Sequence, residues 1–198
     1  MTRLLTALTL AFAFSLTACG GDHDHKDHKD HGHKDHDKGH DKGHDKAHAG
    51  YTKATVTLAP TAGNDGIAGT VTFVQADGKV TITANVSGLT PGKHGFHIHE
   101  FGDISMDNGK GTGGHFNPEG HDHALADNTT RHAGDLGNLD ADKDGNATYT
   151  ATVDNITIAG KNAILGRAII VHAKEDDGGQ PTGNAGARIA QGVIGVAK

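Results

Sequence analysis

The chain has 198 residues, a formal net charge of −6, 17 His, 30 Gly, one Cys, no Trp and 4% aromatic residues. That length allows one ordinary domain plus appendages, and a core so short of aromatics must be built from Val, Ile, Leu and Ala, with Gly supplying many turns. A helical bundle is disfavoured, a nucleic-acid binder would need a basic face, and a single Cys excludes both an intramolecular disulfide and a Cys-rich zinc module.

Arg3 precedes an apolar run from Leu4 to Leu16. It falls short of the roughly 20 residues of a membrane span and suits the apolar part of an export signal. The run ends in Leu16-Thr17-Ala18-Cys19, which is similar to the lipobox of bacterial lipoproteins, with cleavage before Cys19 and lipid on its thiol. An ordinary secretory signal cut near Ala18 is the alternative, and either one exports the protein. Gly20 stands where those lipoproteins carry an Asp for inner-membrane retention. The resemblance therefore implies a periplasmic lipoprotein of the cell envelope, attached to the outer membrane through Cys19.

Residues 20–50 consist largely of Asp, His, Lys and Gly, and hold His23, His25, His28, His31, His33, His36, His40, His44 and His48. No apolar residue recurs here at a strand or helix period, so the segment cannot bury enough surface to offset its ordering entropy. It is expected to be a disordered tail. Imidazole suits zinc and copper, so these nine histidines read as a metal-capturing segment, the alternative being a solvated spacer.

Residues 51–198 form a single domain carrying eleven basic and sixteen acidic residues, net −5. Apolar residues alternate with Thr or polar ones in 52–58, 69–74, 79–86, 147–153, 167–172 and 187–194, with Gly, Asp or Asn clusters between. This predicts an all-β antiparallel sandwich or barrel. Asp77-Gly78 reads as a hairpin turn. The Gly-rich span from Phe101 to Asn138 reads as one long functional loop. Asp140-Ala141-Asp142-Lys143-Asp144-Gly145 looks like the start of a calcium loop, but Ala151 stands where the twelfth-position carboxylate is required, so it reads as an acidic turn.

His97 and His99 lie at i and i+2, which on a strand puts them on one face with Cα atoms roughly 6.6 Å apart. His115, His123, His132 and Asp135 follow on the long loop, and His172 closes an apolar strand. A small domain offers too few partners to satisfy six buried imidazoles, so together they point to metal.

The motifs Gly95-Phe96-His97-Ile98-His99-Glu100-Phe101-Gly102-Asp103, His115-Phe116-Asn117-Pro118, His132-Ala133-Gly134-Asp135-Leu136-Gly137-Asn138, Gly166-Arg167 through His172, and Gly183-Asn184-Ala185-Gly186-Ala187-Arg188 resemble those of the copper/zinc superoxide dismutases. The resemblance spans nearly all of 51–198. It implies a flattened eight-stranded antiparallel Greek-key β-barrel with long metal-binding loops. It also implies copper on His97, His99, His115 and His172, and zinc on His115, His123, His132 and Asp135, with His115 bridging. By the same resemblance Asp176 links ligands of the two metals, His94 is a supporting residue, Arg188 orients superoxide, and His115 takes up a proton as copper alternates between Cu(II) and Cu(I). His121 matches no ligand.

The family's usual intramolecular disulfide has no counterpart: Ile104-Ser105-Met106-Asp107-Asn108-Gly109 lacks Cys, and Gln191 stands at the second position. Other contacts or the metals must hold this loop. Between His172 and Arg188 the chain is short, with Lys174 and few other cations, which implies weak electrostatic guidance of the anion. Gly102-Asp103-Ile104 and Gly192 to Val196 resemble the apolar surfaces by which family members dimerise, so a homodimer is expected, with a monomer as the alternative. The activity implied is conversion of superoxide to O2 and H2O2. A copper/zinc buffer or donor in the cell envelope, built on the same scaffold, is the competing reading.

Overall fold

Alternation decides which face of each strand meets the core. In the strand Lys79–Ser87, Val80, Ile82, Ala84 and Val86 are buried while Asn85 and Ser87 face water. The structure, a computed structural model, describes residues 50–198; the export signal, Cys19 and the tail histidines lie outside the described residues.

The strands in chain order are β1 (Lys53–Pro60), β2 (Ala68–Ala76), β3 (Lys79–Ser87), β4 (Gly92–His99), β5 (Asp135–Ala141), β6 (Ala147–Val153), β7 (Ala168–His172), β8 (Arg188–Val193) and the two-residue β9 (Gly195–Val196). Eight of them form the continuous antiparallel path β5-β4-β7-β8-β1-β2-β3-β6, and β9 pairs with β1. The ends of the path, β5 and β6, are joined by the acidic turn, so the sheet curls into a nearly closed barrel. This is the all-β, eight-stranded architecture expected, with β9 as an addition. Asp77 and Gly78 adopt positive φ of 51° and 75° in the β2–β3 hairpin, which gives a turn matching the strand twist.

One expectation fails. The sequence pattern places residues 135–138 in the long loop, yet β5 begins at Asp135. Leu136-Gly137-Asn138 has neither β-branched residues nor alternation, and Gly137 sits at φ 85°. What makes it a strand is its partner: β5 pairs with β4 from Gly92↔Ala141 to His97↔Asp135, across an irregularity between Gly95 and His97. Cross-strand pairing overrides local propensity here.

Phe73, Ile82, Phe96, Ile98, Leu139 and Ile169 are fully buried in the barrel. Each contributes roughly 1.5–3 kcal/mol of apolar burial. β4 is buried from His94 to His99 on both faces. Phe96 and Ile98 point to the core, so the opposite parity places His97 and His99 outside it, beneath the loops. β7 repeats the pattern, with Ile169 and Val171 in the core and His172 on the other face. Antiparallel pairing of β4 with β7, His97 opposite Ile170, brings the two histidine-bearing faces together.

Candidate metal centre

Two clusters of buried side chains converge on the outer face of β4. His97, His99, His115 and His172 form one, and His115, His123, His132 and Asp135 the other, with ligand atoms in each lying within 4.8 Å of one another. β4 supplies His97 and His99, β7 supplies His172 and β5 supplies Asp135. His115 pairs with His99 in an isolated antiparallel bridge, and Phe116 N donates to Ile98 O at 2.8 Å, which pins the loop ligand to β4. Gly134 allows the approach, because a Cβ there would collide with Ile98 O.

Among the described residues, eight buried side-chain polar atoms have no hydrogen-bond partner, and six of them are imidazole nitrogens: His97 Nδ1, His99 Nε2, His115 Nε2, His123 Nδ1, His132 Nδ1 and His172 Nε2. Orphaned polar atoms in a core cost free energy unless something binds them. One such nitrogen from each of the six clustered histidines is an arrangement that suits nitrogen-binding metal ions. The residues present therefore fit copper and zinc. His115 Nδ1 lies 2.8 Å from Asp135 Oδ1, so its orphaned Nε2 is left for the other cluster.

The opposite nitrogens are tied down. His97 Nε2 bonds Asp176 Oδ2 at 2.8 Å and His123 Nε2 bonds Asp176 Oδ1 at 2.9 Å, so one carboxylate holds a ring from each cluster. His99 Nδ1 donates to Gly113 O at 3.0 Å and His172 Nδ1 to Gly186 O at 3.2 Å. Such bonds select the tautomer and aim the free nitrogen. His94 lies in neither cluster; its Nδ1 donates to His172 O at 2.8 Å, which supports the backbone of a cluster residue. His121 is also outside both, bonded to Asn117 and Arg131.

The electrostatics single out His123 among these rings. Burial pushes His97 down to about 4 and His172 to about 3, and holds His99 well below its ordinary value, so these rings are neutral ligands at neutral pH. At His123 burial acts downward too, but the Asp135 and Asp176 carboxylates prevail and raise it to about 9. Against burial, which acts upward on both, Asp135 is held well below the usual carboxylate range by His115 and His123, and Asp176 by His123 and His97.

Arg188 stands beside the first cluster. Its guanidinium donates to Gly109 O at 2.6 Å, Thr112 Oγ1 at 3.0 Å and Gly113 O at 2.7 Å, and Thr112 Oγ1 lies 3.3 Å from His99 Nδ1. A cavity of about 530 Å³ opens at this point, lined by Thr61, Asn64, Asn108, Lys110, Gly113 and Arg188. Several contributors were invisible in the sequence. Asn138 clamps Asp176 by donating from Nδ2 to its carbonyl at 2.9 Å and accepting from its N–H at 2.7 Å. Asn138 belongs to a recognised motif, but nothing in that motif pointed to Asp176.

A β-barrel whose loops gather two buried clusters of candidate metal ligands, with one imidazole common to both, defines a candidate two-metal protein. Residues 67–194 match the copper/zinc superoxide dismutase family. The Brassica juncea protein named superoxide dismutase Cu-Zn 2 is 49% identical over 142 residues, covering 67% of this chain and 92% of its own length. The crystal structure of the clock protein EA4 is similar at a TM-score of 0.68 and 40% identity, covering 74% of this chain and 96% of that one. The chain belongs to the copper/zinc superoxide dismutase family and is an oxidoreductase acting on superoxide, with copper and zinc as its cofactors.

Proposed function

We propose that the chain converts two superoxide anions and two protons to O2 and H2O2, with copper held by His97, His99, His115 and His172 and zinc by His115, His123, His132 and Asp135. Copper, when bound, supplies a one-electron couple that superoxide can both reduce and reoxidise, while zinc supplies a fixed positive charge in a closed four-ligand site. Arg188 attracts and orients the anion, its guanidinium being held in place by three acceptors. His115 Nε2, buried and without a protein partner, would hold a proton for the departing product whenever that nitrogen is not bound to metal. Asp176 keeps the His97 and His123 rings aimed at their own metals. The observation that carries this reading is the sharing of His115 by both clusters beside a tethered arginine. A buffer or donor needs ligands but has no use for an anion-orienting guanidinium.

The N-terminal sequence supports export and lipid attachment at Cys19, giving a periplasmic location at the outer membrane, and the tail's composition supports metal capture by its histidines. Exposed Phe101, Ile104 and Val196, close to Gly102 and β8, support a homodimer through this apolar surface. The test is superoxide consumption by copper- and zinc-loaded protein, with Arg188→Ala and His172→Ala as controls. Activity lost in both variants is the expected outcome. An inactive wild-type protein with full copper occupancy would establish the buffer instead.

A further inference from the structure

Gln180 lies on the segment between β7 and β8, and its side-chain amide bonds both backbone groups of one distant residue. Nε2 donates to His123 O at 2.7 Å and Oε1 accepts from His123 N at 3.3 Å. This is the reciprocal pairing of a β-ladder, made with a side chain. His123 sits in a stretch without regular secondary structure, and among the described residues no backbone group bonds its N–H or C=O. Both need partners because the residue is buried, at 2% exposure.

The same short segment holds the other end of His123, since Asp176 Oδ1 takes its Nε2 at 2.9 Å. With ring and backbone both fixed, Nδ1 is turned to within 3.0 Å of Asp135 Oδ2, into the second cluster. Gly183 completes the cradle: a Cβ there would collide with Asp176 Oδ1 and come within 2.8 Å of His123 Nε2. Bonds from Gly183 N to Gly179 O at 2.6 Å and from Asp177 N to Gly183 O at 3.0 Å close the segment on itself and fix where Gln180 stands.

We propose that Gln180 is a positioning residue for the zinc site, holding the His123 backbone so that Nδ1 meets the metal at the geometry set by His115, His132 and Asp135. This rests on the reading that the second cluster takes zinc. Gln180 is itself exposed, so its removal forfeits little burial. Its effect falls on the one ligand it grips.

The probe is Co(II) titrated into the metal-free mature protein. Tetrahedral Co(II) with three imidazoles and a carboxylate gives intense visible bands, whereas six-coordinate Co(II) on tail imidazoles and water absorbs weakly. Gln180→Ala is expected to weaken tetrahedral cobalt binding about ten- to a hundred-fold and to alter the band envelope, while the unpaired His123 backbone groups lower the melting temperature of the metal-free protein by only a few degrees. Gln180→Glu keeps the acceptor for His123 N–H and loses the donor, so its affinity should fall between wild type and Gln180→Ala. Wild-type cobalt affinity and bands in Gln180→Ala would overturn the proposal. So would an affinity loss with an unchanged band envelope, which would mark a merely structural residue. The readout is metal binding, so absence of dismutation would defeat the proposed activity without obscuring this result.

Discussion

Gln191 donates its side-chain amide to the backbone carbonyl of Met106 at 3.2 Å, and to that of Ile104 at 3.4 Å. It thereby ties β8 to the loop that the family resemblance would have joined to it by a disulfide. Arg188 tethers the same loop at Gly109 and Gly113, and Ala62 N donates to Asp107 O at 2.8 Å. Hydrogen bonds thus do the work of a covalent bridge. Gln191→Ala should destabilise the protein by about 0.5–1.5 kcal/mol, the net worth of hydrogen bonds to carbonyls that water can reach. A phosphine reductant, which lacks a thiolate to bind metal, should leave the melting temperature of the metal-free protein unchanged. Chemical denaturation, and melting curves with and without reductant, check both points.

Arg188→Ala should abolish most of the dismutase activity while copper content stays at the wild-type level. Arg188→Lys should recover only part of it, because a single ammonium cannot reach Gly109 O, Thr112 Oγ1 and Gly113 O in the forked geometry that holds the guanidinium. Paired measurements of copper occupancy and rate separate loss of metal from loss of anion binding.

Lys110 lines the cavity together with Arg188, and the aliphatic stem of Lys174 packs over Gly186, 3.3 Å from a Cβ built there. Lys110 therefore adds a cation beside Arg188 that lies outside the short segment before it. For Lys110→Glu, kcat/KM should fall severalfold at low ionic strength, and the decline of rate with salt should flatten. Identical salt slopes for variant and wild type would count against guidance by this lysine.

Metal removal should lower thermal stability strongly, since six imidazole nitrogens are left buried and unpaired without it. At a thousandfold excess of ligand over its dissociation constant, one site contributes about 4 kcal/mol. At about 2–4 °C per kcal/mol for a domain of this size, this raises the melting temperature by roughly 8–16 °C per metal. Calorimetry of metal-free and loaded forms tests it; a small difference would show that the loops hold themselves together.

The metal-free protein should be most stable near pH 6.5. His97 and His172, lowered by burial to about 4 and about 3, are neutral when folded and take up protons on unfolding below about pH 6.5, so stability falls as pH drops from there towards 3. His123, raised to about 9, is charged when folded, so its contribution is complete below about pH 6.5 and is lost as pH rises through 9. Melting temperatures from pH 4 to 10 would trace this maximum.

The sequence by itself determined the all-β class, the parity that puts His97 and His99 on one face, the composition of the tail and the absence of a disulfide. These depend on strand period and residue type, which are local properties. The motifs also carried the ligand residues, through their family resemblance. Tertiary structure alone decided the rest. Residues 135–138 became a strand because β4 lay beside them. Asp176 reached rings 79 and 53 residues away, Gln180 found the backbone of His123, and Gln191 took over a tether no local pattern announces. Such partners are neighbours only after the antiparallel path closes, and hydrogen bonds between them depend on where the barrel brings the chain together, which no spacing along the sequence encodes.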